Sequence, residues 1–303
     1  MNPDALSPLT SVTLLDGGMG TTLKEAGVVL PPTIWSAAAL LDAPDVVRAC
    51  HVSFIEAGAD VISSNTYATV PNLLALEDLG DRVEDLVKTA MKLAEEARDT
   101  AGDVRIAGSL APLGHSYRPD LVGPDDENLF SYRRIVEAMG DVPDLFLCET
   151  MSSVREATAA VTAATETGRE TWVAFVLSGD RSGALLSGEP ASEAVSAMKD
   201  LGVDTVLFNC SEPEAITAAI RSVASLPVAT GGYPNMLEPV PEDWSFEAPS
   251  PRGKRRDLTT ERIVDIVFGW VDEGATHIGG CCGVGPTVIA AMADRLAAGL
   301  AEQ

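Results

Sequence analysis

Basic residues are scarce in this chain: 21 Lys and Arg stand against 45 Asp and Glu, a formal charge of −24. A surface of that sign repels the phosphates of nucleic acid and the head groups of an anionic membrane, so neither is an expected partner. Long apolar runs are missing too. No stretch approaches about 18 uninterrupted apolar residues, and the first residues hold no basic segment followed by an apolar one, so no membrane span or secretory leader is expected. The chain reads as cytoplasmic. Cysteine is limited to five, an odd number that argues against a disulfide framework and for reduced thiols. No Gly-x-Gly-x-x-Gly follows an apolar run, which removes the usual signature of dinucleotide binding.

What is present is a regular alternation. Short apolar runs rich in β-branched residues occur at 12–16, 61–67, 105–110, 144–150, 171–177, 205–210, 227–231 and 277–282. Segments of helical period occur at 44–57, 72–100, 125–139, 153–167, 191–201, 213–224 and 259–273, and another runs from Pro286 to about 300, with proline at a favoured first helical position. Eight β units alternating with eight α units in 303 residues predict a (β/α)8 barrel in one domain spanning 1–303, with a doubly wound sheet as the weaker alternative. In a barrel, reactive groups collect at the carboxyl ends of the strands. Asp16-Gly17-Gly18, Asn65-Thr66-Tyr67, Glu149-Thr150, Asn209-Cys210 and Gly280-Cys281-Cys282 all fall there. Residues 231–257 form a long proline-rich segment without periodicity, expected to be a lid or a disordered flap over the same face. Its Lys254-Arg255-Arg256 run reads as a solvated patch.

The cysteines divide into two kinds. Cys50 lies in a helical segment and Cys148 in an apolar strand, and both read as core packing. Cys281 and Cys282 are adjacent, and successive side chains of a regular strand face opposite ways, so the surrounding glycines predict a backbone bent to aim both thiols at one target. Cys210 ends another strand beside Asn209. Three thiolates without a fourth protein ligand predict a zinc site with an open position. Of the three histidines, His51 and His277 read as satisfied structural residues and His115 as a loop residue near the mouth. Trp35 reads as packing.

Cys210 in an Asn-Cys dipeptide, followed by Gly-Gly-Cys-Cys-Gly, resembles the zinc signature of the homocysteine S-methyltransferase family. The resemblance extends through Asp16-Gly17-Gly18-Met19-Gly20, Trp35-Ser36, Asn65-Thr66-Tyr67, Cys148-Glu149-Thr150 and Tyr233-Pro234-Asn235. It implies a barrel in which Cys210, Cys281 and Cys282 hold Zn2+ and the sulfur of homocysteine takes the fourth position. It also implies that Asp16 and Glu149 hold the amino group of homocysteine, that Gly17, Gly18 and Ser36 meet its carboxylate, and that Tyr67 lies near the methyl donor. Asn65 and Asn209 are expected to orient substrate or a cysteine loop. The bland alternatives are a helix cap for Asp16, an interior ion pair for Glu149 and a simple wall residue for Tyr67.

Two stretches depart from the family pattern: the short loop after Leu110 that carries His115, and the Met236-Leu237-Glu238-Pro239 run after Asn235. Both bear on the donor. With no folate or cobalamin domain expected in a chain of this length, a small sulfonium donor, S-methylmethionine or S-adenosylmethionine, is favoured over betaine. Another thiol, or a selenol such as selenocysteine, is the alternative acceptor, and a metal- or redox-sensing barrel is the non-enzymatic reading.

Overall fold

A computed structural model describes residues 12–114, 116–239 and 253–301. The strands are β1 (Thr13–Leu14), β2 (Val61–Ser63), β3 (Arg105–Leu110), β4 (Leu145–Met151), β5 (Glu170–Phe175), β6 (Thr205–Asn209), β7 (Ala229–Tyr233) and β8 (His277–Ile278). All pair in parallel in the order β1-β8-β7-β6-β5-β4-β3-β2. A parallel bridge between Leu15 and Val61 joins the two ends, so the sheet closes on itself. The predicted (β/α)8 barrel is the architecture found.

The helices are α1 (Met19–Glu25), α2 (Ala37–Asp42), α3 (Pro44–Glu56), α4 (Pro71–Ala75), α5 (Val83–Ala101), α6 (Asp125–Met139), α7 (Val154–Thr165), α8 (Ala191–Asp200), α9 (Pro213–Val223), α10 (Thr260–Asp272) and α11 (Pro286–Ala301). None is long and apolar enough to cross a membrane, among the described residues. Three differences from the sequence expectation stand out. The single helix expected over 72–100 is two helices joined by a 3-10 turn at Gly80–Arg82, because Asp78 takes a left-handed φ of 57° and interrupts the backbone ladder. Short helices α1 and α2 fill the connection after β1, where no periodic signal was read. β1, β2 and β8 are shorter than expected, and β7 runs two residues past Gly231 to Tyr233.

Side-chain alternation organises the interior. Val61, Ala107, Leu145, Leu147, Trp172, Ala174 and Leu207 form the apolar filling of the barrel, whereas Ile62, Ile106, Phe146, Cys148, Val173 and Phe208 face the helices. Two positions beyond an inward residue comes another inward residue. Ser63 follows Val61, Ser109 follows Ala107, Glu149 follows Leu147, and Asn209 follows Leu207. Tyr233 likewise packs with the interior filling. A polar layer therefore lies directly on the apolar core at the carboxyl end of the strands.

Candidate metal and substrate site

The loop after β7 ties the cysteine segments together. Cys210 N–H donates to the Tyr233 carbonyl at 3.2 Å, Cys281 N–H to the Pro234 carbonyl at 2.9 Å, and Met236 N–H to the Cys282 carbonyl at 2.9 Å. Buried Asn235 adds a side-chain splint: its Nδ2 donates to the Cys210 carbonyl at 2.8 Å and its Oδ1 accepts from Leu237 N–H at 3.1 Å. Cys210 itself sits at a φ of 49°, a costly backbone state for a non-glycine residue and one that concentrates at functional sites.

The expected bend after β8 is present. Residues 279–282 leave the strand, and Gly280 N–H donates to the Asp16 carbonyl at 3.0 Å. The three sulfurs lie within 4.8 Å of one another, and Cys210 Sγ is 4.0 Å from Cys282 Sγ. Tetrahedral ligands about 2.3 Å from a zinc ion stand about 3.8 Å apart, so the spacing and the soft donor set suit that metal. The Cys281 thiol is pushed well above its ordinary range by hydrogen bonding with Cys210 and Cys282, with burial adding to it. Three thiols this close cannot all ionise without a cation among them.

Beside the sulfurs stand two carboxyls with no basic partner among the described residues. Asp16 is 4% exposed and accepts from Ser63 N–H at 2.8 Å and Ser63 Oγ at 3.2 Å. Burial pushes it up to about 8 against those hydrogen bonds, and the charge of Glu149 adds to the rise. Glu149 accepts from Ser109 Oγ at 2.5 Å. Burial lifts it to about 7, with the Ser109 bond opposing and Cys210 adding. Neither bland alternative is met: α1 has Gly18 as its cap residue with no side-chain cap bond, and Glu149 has no ion pair among the described residues. Two carboxyls raised into the neutral range by burial make a pocket that favours a cationic group.

The remaining candidates divide by what their polar atoms already do. Gly17 and Gly18 are pressed against the β8 loop, where an added Cβ would stand 2.2 Å from the Val284 carbonyl and 2.6 Å from that of Cys281. Gly18 N–H is already spent on the Val284 carbonyl at 2.9 Å, so this amide is not free to meet a substrate carboxylate. The Ser36 carbonyl accepts from Asn65 Nδ2 at 3.0 Å, which makes Asn65 a clamp on the Ser36 loop. Asn209 gives both ends of its amide to Thr150: Oδ1 accepts from Thr150 N–H at 3.0 Å and Nδ2 donates to Thr150 Oγ1 at 2.9 Å. It holds Thr150, at a φ of 61°, just behind Glu149. Both asparagines therefore orient the site's frame. Tyr67 pairs with Ser116 Oγ at 2.7 Å; burial raises its phenol, as does the nearby Cys210.

Three residues escaped the sequence reading of the site. Tyr117, in the loop after β3, brings its hydroxyl to 2.9 Å from Cys210 Sγ, and nothing in the sequence pattern marks it. Tyr233 and Asn235 were visible only as part of a motif. Alternation would have turned Tyr233 inward had the seventh strand been carried past Gly231.

Cys50 and Cys148 are buried in the hydrophobic core as expected. His277 is satisfied by Thr276 Oγ1 at 2.9 Å and lies edge-on to Trp172. His51 is not satisfied among the described residues: it is fully buried with neither ring nitrogen hydrogen-bonded to any of them, and burial lowers it to about 4, which keeps it neutral. Trp35 is partly buried against the core, with the Lys24 ammonium 3.9 Å from its ring centroid. The basic run is not simply solvated. Arg255 pairs with Glu214 at 2.7 Å, Asp257 at 2.6 Å and Glu212 at 3.3 Å, while Lys254 reaches Glu25 at 2.8 Å. Leu237 and Lys254 form an antiparallel bridge at the base of the proline-rich segment. His115 and residues 240–252 lie outside the described residues, so the expectation of a lid falls there.

Comparison with known proteins agrees with this geometry. A family model described as homocysteine S-methyltransferase matches residues 13–296. Homocysteine S-methyltransferase 1 of Brassica oleracea var. italica is 30% identical, over 97% of this chain and 96% of its own length. The selenocysteine Se-methyltransferase of the same plant is 28% identical, over 93% and 88%. The crystal structure of the homocysteine methyltransferase MmuM from Escherichia coli in its metallated form superposes with a TM-score of 0.80 at 27% identity, covering 95% of this chain and all of that one. With the family matched over nearly its whole length and the cysteine triad assembled at the barrel mouth, the chain belongs to the homocysteine S-methyltransferase family.

Proposed function

We propose that the protein transfers a methyl group from a small sulfonium donor, S-methylmethionine or S-adenosylmethionine, to the thiol of homocysteine, giving methionine. Cys210, Cys281 and Cys282 would hold Zn2+. Bound there, the ion would replace the proton of an incoming thiol and leave its sulfur nucleophilic, while three thiolates make it a poor activator of water. The observation that carries the reading is the meeting of three sulfurs within 4.8 Å beside Asp16 and Glu149, two buried carboxyls without a basic partner among the described residues.

The rest is work for the chain's own groups. Asp16 and Glu149 take the ammonium of homocysteine, and its arrival holds both carboxyls in the charged form. The Ser36 hydroxyl and the Gly17 backbone are the candidates for its carboxylate. Tyr67 offers a ring face to the sulfonium, a cation–π contact. In the transfer, the carbon–sulfur bond of the donor breaks with its electron pair returning to the donor sulfur, as the acceptor sulfur forms the new bond in line. The frame must hold these atoms about 3 to 3.5 Å apart, and positioning supplies much of the rate.

We read residues 1–303 as one homocysteine-binding barrel domain working in a reducing compartment such as the cytoplasm, where the thiols stay free. The test measures bound zinc and then methionine formed from homocysteine with S-methylmethionine, S-adenosylmethionine or betaine at equal concentration. About one zinc per chain and fastest turnover with a sulfonium are expected. Protein that takes up no zinc and makes no methionine from any donor would overturn the reading. Similarity to a selenocysteine Se-methyltransferase favours a selenol as the second acceptor, and competition between homocysteine and selenocysteine for one limiting donor ranks the two.

A further inference from the structure

Tyr233 ends β7 within the barrel's interior cluster, which includes Leu15 and Leu207 and against which Cys281 packs. It is 4% exposed, and its hydroxyl meets no group in good hydrogen-bond geometry among the described residues, although it lies close enough to Glu149 to favour that carboxyl's charged form. A buried hydroxyl without a partner is uncommon, and a phenylalanine would fill the same space without that penalty. The hydroxyl stands where the charges of Glu149, Cys281, Cys210 and Asp16 all act on it. Every one of these neighbours accepts hydrogen bonds when ionised. What the cluster lacks, among the described residues, is a cation.

An ammonium carries three N–H donors. Two point to Asp16 and Glu149 under the function proposed above, on which this inference rests, and the third needs an acceptor close to both. We infer that Tyr233 supplies it: its oxygen accepts the third N–H of the acceptor's ammonium while its own proton turns to a neighbouring carboxylate. Tyr233 is then a specificity residue, reading the amino group and ignoring the thiol. The class of ligand it selects is an α-amino thiol, in preference to the same thiol without the amine.

Tyr233→Phe keeps the ring and removes only the oxygen, so the interior packing stays. Calorimetry on zinc-loaded protein compares homocysteine with 4-mercaptobutanoate, which has the same thiol and carboxylate but no amine. The variant is expected to bind homocysteine roughly tenfold more weakly, with 4-mercaptobutanoate affinity and zinc content unchanged and a melting temperature that does not fall. Unchanged homocysteine affinity, equal weakening of both ligands, or loss of zinc would each overturn the inference while the methyltransferase reading stands. Wild-type protein that binds no homocysteine would overturn that reading and the inference with it.

Discussion

The two ends of the barrel treat charge in opposite ways. Where the strands begin, Arg105 of β3 pairs with Glu170 of β5 at 2.6 Å, and Trp172 Nε1 donates to the same carboxyl at 2.6 Å. Burial alone would lift Glu170, but these bonds overcome it and hold the carboxyl below its usual range. Asp144 is similarly occupied by Ile106 N–H at 2.7 Å and Arg98 at 3.3 Å. Where the strands end, Asp16 and Glu149 are surrounded by serines, sulfurs and one another, and both are pushed up. One end satisfies its charges internally. The other leaves them unbalanced, at a cost to the empty fold that a cationic ligand would recover.

The sharpest way to break this contrast is at the sulfurs. Cys210→Ser, Cys281→Ser or Cys282→Ser should each lower zinc affinity by about a hundredfold or more, since even losses outside the ligand shell cost 10- to 100-fold. Metal analysis after dialysis against a chelator checks this, with Cys50→Ala and Cys148→Ala as buried controls expected to keep their zinc. Full zinc retention in a Cys210, Cys281 or Cys282 variant would remove that residue from the ligand set.

The next largest effect is expected at the carboxyls. Glu149→Gln and Asp16→Asn should each weaken homocysteine binding by roughly ten- to 150-fold, as the loss of a charged hydrogen bond predicts, and leave zinc content unchanged. The sign of the pH dependence follows. Only the ionised carboxyls pair with an ammonium, so wild-type affinity should rise with pH through the window near 7 to 8 and flatten above it. Stability of the empty, metal-free protein should move the other way. An acid raised on folding contributes stability that is present below its unfolded value and lost as pH rises through its folded one. The melting temperature of metal-free wild type should therefore fall between about pH 4 and 8, and fall less in either variant. A melting temperature that rises over this range would mean that neither carboxyl is held up by burial.

A smaller loss is expected at the splint. Asn235→Ala should lower zinc affinity about ten- to 100-fold, because Asn235 touches the Cys210 loop without reaching a sulfur. Chelator competition reads it, and an unchanged affinity would show that the backbone bonds alone hold the loops in register. The smallest effect belongs to the other end. Arg105→Ala removes a partly exposed pair worth at most about 1 kcal/mol, so a slight fall in melting temperature and no change in homocysteine affinity are expected. A large change in affinity would dissolve the distinction between the two ends.

Much of this arrangement was legible in the sequence. The cysteine triad could be read because adjacent cysteines among glycines have few structural uses. The barrel could be read because its period is repeated eight times. Asp16 and Glu149 were placed at the barrel mouth by the apolar runs they end, and their expected role came from the family resemblance. Asn65 and Asn209 were expected to orient substrate or a cysteine loop, and a sequence does not say which partner an amide has already taken. Asn209 spends both ends on Thr150, and Asn65 donates to the Ser36 carbonyl. The Lys254-Arg255-Arg256 run failed differently: composition makes it a solvated patch, whereas the carboxylates of Glu212 and Glu214 meet Arg255 only after the chain returns to α9.

The sequence by itself determined the order of the strands, the inward parity of each, and the supply of thiols and carboxyls at their carboxyl ends, because these follow from period and local backbone preference. Only the tertiary structure decided which polar groups remain unspent. The Gly18 amide is consumed by Val284, while the Tyr233 hydroxyl, near Glu149, meets no group in good hydrogen-bond geometry among the described residues. Hydrogen-bond satisfaction is a property of the neighbours a closed barrel brings together, often dozens of residues apart in the chain, and no local rule fixes who those neighbours are.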